Sequence, residues 1–251
     1  MRLLTNILLI IEGAGDELNY FSRLSKITSG NITKFNFFVY KTNIYQLYQE
    51  LASYDFDVEI EDVLRNNKQN SIQEKECLQN KFAYKYLIFD FEFQDKNSLN
   101  KKEALSKMIN YFSDETENGK LYINYPMMES YRDMKVLGET DYENTFIDVC
   151  DLFNYKQIVG NRGNCIDIKK YLWEDFIMLS SMNVKKGNSL LNHNYCLKSY
   201  DDYLENLSQL NIMNKQFNFI NDNSIIYVIN CSSFLLIDYF GAPLFKKLWL
   251  S

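Results

Sequence analysis

Residues 6–21 read NILLIIEGAGDELNYF. The apolar, β-branched run ends at Ile11, and the chain then meets a carboxylate, Glu12, three small residues, and two further carboxylates, Asp16 and Glu17. A continuous apolar run of this kind predicts a strand buried on both faces, and the following DELNYFSRLSKI, with Leu18, Phe21 and Leu24 at helical spacing, predicts a helix. The same alternation recurs downstream. KFNFFVY (34–40) precedes NIYQLYQELASY (43–54), YKYLIFDF (84–91) precedes KKEALSKMINYF (101–112), and GKLYINYP (119–126) precedes MMESYRDM (127–134). Strands alternating with helices predict an α/β fold, in which right-handed crossovers build a mostly parallel sheet flanked by helices. The polar interval 55–82 reads as a helical excursion between the second and third strands.

After about residue 136 the pattern changes. YENTFIDVCDLFNY (142–155), IKKYLWEDFIMLSSMN (168–183), YDDYLENLSQLNIM (200–213) and SFLLIDYFGAPLFKKLW (233–249) read as helices, with SIIYVI (224–229) an isolated strand. The expected organisation is therefore an α/β domain over 1–136 and a mainly helical C-terminal subdomain over 137–251. The chain of 251 residues, 46% hydrophobic, is long enough for a large packed core. Its 27 Lys and Arg against 33 Asp and Glu give a formal charge of −6, so no global basic field marks it for nucleic acid. Five scattered cysteines without a C-x-x-C pair read as reduced thiols of a cytoplasmic protein. With one histidine, His193, a Cys/His zinc site is not expected. MRLLTNILLIIEG turns acidic after a short apolar run and lacks an A-x-A cleavage pattern, which reads as a first core strand instead of an export signal, and no stretch approaches the length of a membrane span.

In an open parallel sheet, ligands bind beyond the carboxyl ends of the strands. Three of the four expected strands carry acid there: Glu12 after ILLII, Asp90 and Glu92 closing YLIFDFE, and Glu129 shortly after LYINYP. Strand alternation would project Asp90 and Glu92 to one side, and helical i, i+4 spacing would join Glu12 to Asp16 and Glu129 to Asp133. Any one of these acids also suits a helix amino terminus, where a carboxylate complements the dipole. Several converging carboxylates with no arginine among them repel each other unless a cation neutralises them. Mg²⁺ or Mn²⁺, which prefer oxygen ligands, answer that need, and two such ions can clamp the attacking and leaving oxygens of a phosphodiester.

These segments resemble the motifs of a known family. IIEGAGDELNYF resembles the first motif of TOPRIM domains, a Glu-Gly directly after the first strand, and YLIFDFEFQD resembles their second, an Asp-x-Asp after the third. LYINYPMMESY resembles the third block of the TOPRIM nucleases of the OLD and RloB-like groups, in which Asn-x-Pro precedes a glutamate that opens a helix. The resemblance covers about residues 5 to 135. It implies a Rossmann-like TOPRIM sheet, with Glu12 as the TOPRIM glutamate, Asp90 and Glu92 as the acidic pair, Glu129 as the later metal ligand, and Asp16 and Asp133 completing the set around Mg²⁺ or Mn²⁺. Glu92 departs from the pattern, which has aspartate, and shifts the metal position. OLD nucleases also use a lysine to stabilise charge on the phosphate; Lys185, beside Lys186 in NVKKGNSLL, is the candidate, read as lying in a basic loop after a helix. Lys246 and Lys247 carry the same ambiguity, and His193 is given no catalytic role.

The resemblance implies a metal-dependent endonuclease acting on DNA or RNA, a phage-defence and abortive-infection effector working with an ABC- or SMC-like ATPase partner. The chain is too short for the DNA-gating domains of a topoisomerase and shows no primase zinc module. It leaves the oligomeric state open, a homo-oligomer included. The other reading is a non-catalytic TOPRIM-like subunit that docks on such an ATPase through its acidic, aromatic-rich surface.

Overall fold

The structure is a computed structural model that describes residues 5–28, 33–67, 70–95, 100–163 and 167–250. The protein is α/β. Strands β1 (Thr5–Ile11), β2 (Thr33–Val39), β3 (Tyr84–Asp90), β4 (Ser113–Asp114) and β5 (Gly119–Asn124) form one sheet in the order β2-β1-β3-β5-β4. β1 runs parallel to both β2 and β3, and the short β4 is antiparallel to β5. Between the strands lie α1 (Asp16–Thr28), α2 (Ile44–Ala52), α3 (Ile60–Asn66), α4 (Ile72–Cys77) and α5 (Lys101–Tyr111), so the polar interval 55–82 does hold short helices.

The burial explains the apolar runs. Every residue from Ile7 to Ile11 is fully buried, as are Tyr86 to Phe89 of β3, because each strand sits between two neighbours with helices on its faces. β2 lies at the edge and is buried only at alternate positions, Asn36 and Phe38. α1 starts with Asp16 and Glu17 and ends with Lys26, which places charge of the favourable sign at both ends of its dipole.

The contacts divide the chain into two compact units, 1–89 with 98–122, and 90–97 with 123–251. The division falls earlier than residue 136 for an identifiable reason. The tip of β5 and the segment after it bond within the second unit: Ile123 N–H donates to the Gln209 side chain, Ser232 N–H and O–H to Asn124 Oδ1, and Tyr125 and Ile229 form a β-bridge.

The second unit contains α6 (Tyr155–Arg162), α7 (Trp173–Asn192), α8 (Tyr200–Asn206), α9 (Gln209–Asn223), α10 (Leu235–Phe240) and α11 (Ala242–Leu248). Two expectations are corrected here. Residues 142–155 are not one helix but a 3₁₀ turn, strand β6 (Phe146–Asp148) and a second 3₁₀ turn, and β6 pairs antiparallel with β7 (Ile225–Tyr227), which is therefore not isolated. Lys185 and Lys186 lie inside α7, not in a loop after it. α7 ends instead at His193, whose left-handed backbone (φ 55°) closes the helix while its N–H bonds Ser189 O.

Lys186 is buried, and its ammonium donates to the carbonyls of Tyr142, at 2.6 Å, and Thr145, at 2.9 Å, and also to that of Glu143. One side chain thus pins the turn leading into β6. Lys186→Met strands three inward-facing acceptors, and urea denaturation should show a loss of about 3 kcal/mol; an unchanged midpoint would contradict this role.

Candidate metal centre

Parallel pairing delivers the strand ends to one rim. β1 and β3 are in register with Ile11 opposite Ile88, and Glu12 extends the ladder by donating its N–H to Ile88 O at 3.2 Å. Asp90 is the last residue of β3, so its level relative to Glu12 follows from strand pairing. Glu12, Asp90 and Glu92 each offer a carboxylate oxygen, and the three oxygens lie within 4.8 Å of one another.

Asp90 and Glu92 converge by a different route from the one their spacing suggested. β3 stops at Asp90, and Glu92 has a positive φ of 45°, so the chain turns through the left-handed region instead of continuing the strand alternation. Phe91 between them is the anchor. It is fully buried against Tyr125 and Phe217, and its N–H reaches Asn124 O and Pro126 O at 3.1 and 3.3 Å. A left-handed backbone disfavours a side chain larger than glycine, and its retention here is held by that anchoring. At Gly13, beside Glu12, an added Cβ would stand 3.1 Å from a Glu17 oxygen, a tight contact with the end of that side chain.

The remaining acids separate. Asp90 Oδ1 accepts the N–H of Met128 at 2.8 Å, which fixes the start of the 3₁₀ turn Met128–Arg132. Glu129, the next residue, is 3% exposed; one of its oxygens pairs with Lys156 at 2.9 Å, and the other is buried with no hydrogen-bond partner. Burial raises the Glu92 carboxyl above the ordinary glutamate range, the nearby charge of Asp95 raises it further, and Lys156 opposes them. Lys156 therefore acts electrostatically on both Glu92 and Glu129.

Asp133 drops out of the expected ligand set. The 3₁₀ turn ends before it, so it does not stack one α-turn beyond Glu129, and its two oxygens are taken by Arg162, in two 2.8 Å bonds, and by the Tyr155 hydroxyl at 2.9 Å. Asp16 is likewise outside the three-carboxylate group, because α1 begins at Asp16 and Glu12 is not on that helix. Lys185 is half-buried along α7, and Lys246 and Lys247 sit exposed on α11. The lysine that does approach the acids, Lys156, went unnoticed because nothing in NYKQIVGNR distinguishes it from an ordinary helix lysine.

The donor set suits a hard divalent cation. It consists of carboxylate oxygens without histidine or thiolate, and Glu129, expected as a further ligand, is not among the three. Cys77, Cys150, Cys196 and Cys231 are free thiols that take no part in this group, and Cys165 lies outside the described residues. No helix among the described residues is long and apolar enough to cross a membrane. The chain matches no family model, no curated protein and no solved structure.

The left-handed backbone at Glu92 predicts a separable pair of effects. Glu92→Gly should raise the stability of the metal-free chain by about 1 kcal/mol, yet abolish the rise in melting temperature on adding Mn²⁺. A variant less stable than the parent, or one still stabilised by Mn²⁺, would contradict the assignment.

Proposed function

We propose that the protein is a divalent-metal-dependent nuclease of TOPRIM type that hydrolyses phosphodiester bonds of DNA or RNA. The observation that carries this reading is the meeting of Glu12, Asp90 and Glu92 oxygens within 4.8 Å at the carboxyl end of a parallel sheet. The resemblance of IIEGAGDELNYF, YLIFDFEFQD and LYINYPMMESY to TOPRIM motifs adds the reaction class. When bound, Mg²⁺ or Mn²⁺ would neutralise the carboxylates, polarise a phosphoryl oxygen and make water more acidic.

The protein's own residues then have distinct tasks. Glu12, Asp90 and Glu92 present the oxygen ligands, and Asp90 is held in orientation by the Met128 N–H. Glu129, one residue beyond that anchor, stands outside the three-carboxylate group and is paired with Lys156. Lys156, 69% exposed along its side chain, is positioned to draw the substrate phosphate toward the acids and takes over the role first given to Lys185. A net charge of −6 disfavours long-range attraction of nucleic acid, so binding depends on the cation and on local lysines. The setting that the resemblance implies is a cytoplasmic phage-defence effector working with, or controlled by, an ATPase.

A second reading is a non-catalytic TOPRIM-like subunit that docks on that ATPase. It is favoured by one observation: Lys156 already occupies an oxygen of Glu129.

Incubation with single- and double-stranded DNA and RNA, in Mn²⁺ or Mg²⁺, separates the two readings. The nuclease reading expects cleavage that EDTA stops and that Glu12→Gln or Asp90→Asn slows by at least about a hundredfold, with the fold intact. Lys156→Ala should slow it about tenfold while Mn²⁺ binding persists. Cleavage that survives EDTA or either carboxylate substitution would overturn it, and binding of Mn²⁺ without cleavage, even with the ATPase present, would favour the docking subunit.

A further inference from the structure

The second unit contains an unfinished sheet. β6 and β7 form a two-stranded antiparallel ribbon with Ile147 opposite Ile226. Val228 N–H donates to Thr145 O at 3.1 Å and Val149 N–H to Ser224 O at 2.9 Å, so the Phe146–Tyr227 and Asp148–Ile225 pairs are the non-hydrogen-bonded ones. The alternation follows directly: Ile147 directs its main-chain groups at β7, whereas the N–H and C=O of Phe146 and the N–H of Asp148 point away from it. Phe146 is 44% exposed and Asp148 is exposed, so one face of β6 meets solvent.

β6 also lines a cavity of about 410 Å³ along its whole length. Met134, Phe146, Ile147 and Ile158 give the cavity an apolar wall. Glu139, Asp141, Asp148 and Asp151 give it negative charge, opposed by Lys135, while Asp133 in the same wall is already neutralised by Arg162. Val136 and Phe153, in the segments flanking this wall, are 66% and 75% exposed. An open strand edge supplies main-chain affinity, a row of pockets accepts alternate side chains, and unbalanced carboxylates select positive ones.

We infer that the outer edge of β6 is a docking site for an extended basic segment of a protein partner, which adds to the ribbon as a third strand. Its backbone pairs with Phe146 and Asp148, its lysines or arginines meet Asp141, Asp148 and Asp151, and its apolar residues lie against Ile147 and Ile158. This docking is independent of the carboxylates proposed to hold a metal.

Fluorescence anisotropy of a labelled peptide of about eight alternating lysine and valine residues, with the full chain, tests it. Binding with Kd of about 10–100 μM is expected, weakening as salt rises. The doubly substituted Asp148→Asn, Asp151→Asn chain should bind about tenfold more weakly. Asp114→Asn, an exposed acid on β4, and Glu12→Gln should leave binding unchanged. A peptide of the same charge with N-methyl groups on alternate residues should fail to bind, since strand addition needs its N–H groups. No binding by the parent chain up to about 1 mM, equal binding of the N-methylated or of a glutamate–valine peptide, or indifference to the double substitution would each overturn the proposal.

Discussion

Mutual repulsion among carboxylates is the constraint on which the candidate centre depends. At 4.8 Å, two unit charges repel by roughly 3 kcal/mol in a protein environment of effective dielectric about 20. Glu12, Asp90 and Glu92 present three such pairs. The rise of the Glu92 carboxyl above its ordinary range is the local response to burial and to Asp95, and Lys156 offsets only part of it. A bound cation of charge two attracts all three carboxylates at once and outweighs their mutual repulsion, which the single charge of Lys156 on α6 does not. The geometry of strand ends, one left-handed residue and one buried phenylalanine therefore makes sense as scaffolding for charge that is otherwise unfavourable to gather.

The cost of gathering it is spread over elements far apart in sequence. β1 and β3 contribute because parallel pairing brings their carboxyl ends level, the Met128 N–H orients Asp90, and Phe91 anchors the turn that carries Glu92. Glu129 illustrates the balance: one oxygen is paired, the other is buried without a partner. An acceptor in that condition destabilises the metal-free protein by about 1–3 kcal/mol, which is the kind of local sacrifice that functional sites make.

Much of this was legible in the sequence because the signals were local. ILLII and YLIFDF are short apolar runs of strand length, buried in the middle of the sheet, and acids at their ends mark its rim. What was illegible depended on distant partners. Asp133 looked like a ligand from its spacing to Glu129, but Arg162 captures it from 29 residues downstream. Residues 142–155 have apolar positions compatible with a helix, and only pairing with β7 makes Phe146–Asp148 a strand. The tip of β5 belongs with the second unit through Gln209, Ile229 and Ser232, contacts that no composition shift announces. Lys156 was invisible for the same reason: a lysine on a polar helix acquires meaning only from what faces it.

The most direct measurement of the central claim is anomalous diffraction from crystals of the protein soaked in Mn²⁺. The account predicts an anomalous peak about 2.1 Å from oxygens of Glu12, Asp90 and Glu92, in an octahedral oxygen environment. Crystals that diffract well, show Mn²⁺ elsewhere and leave these three carboxylates bridged by a lysine or turned apart would contradict it.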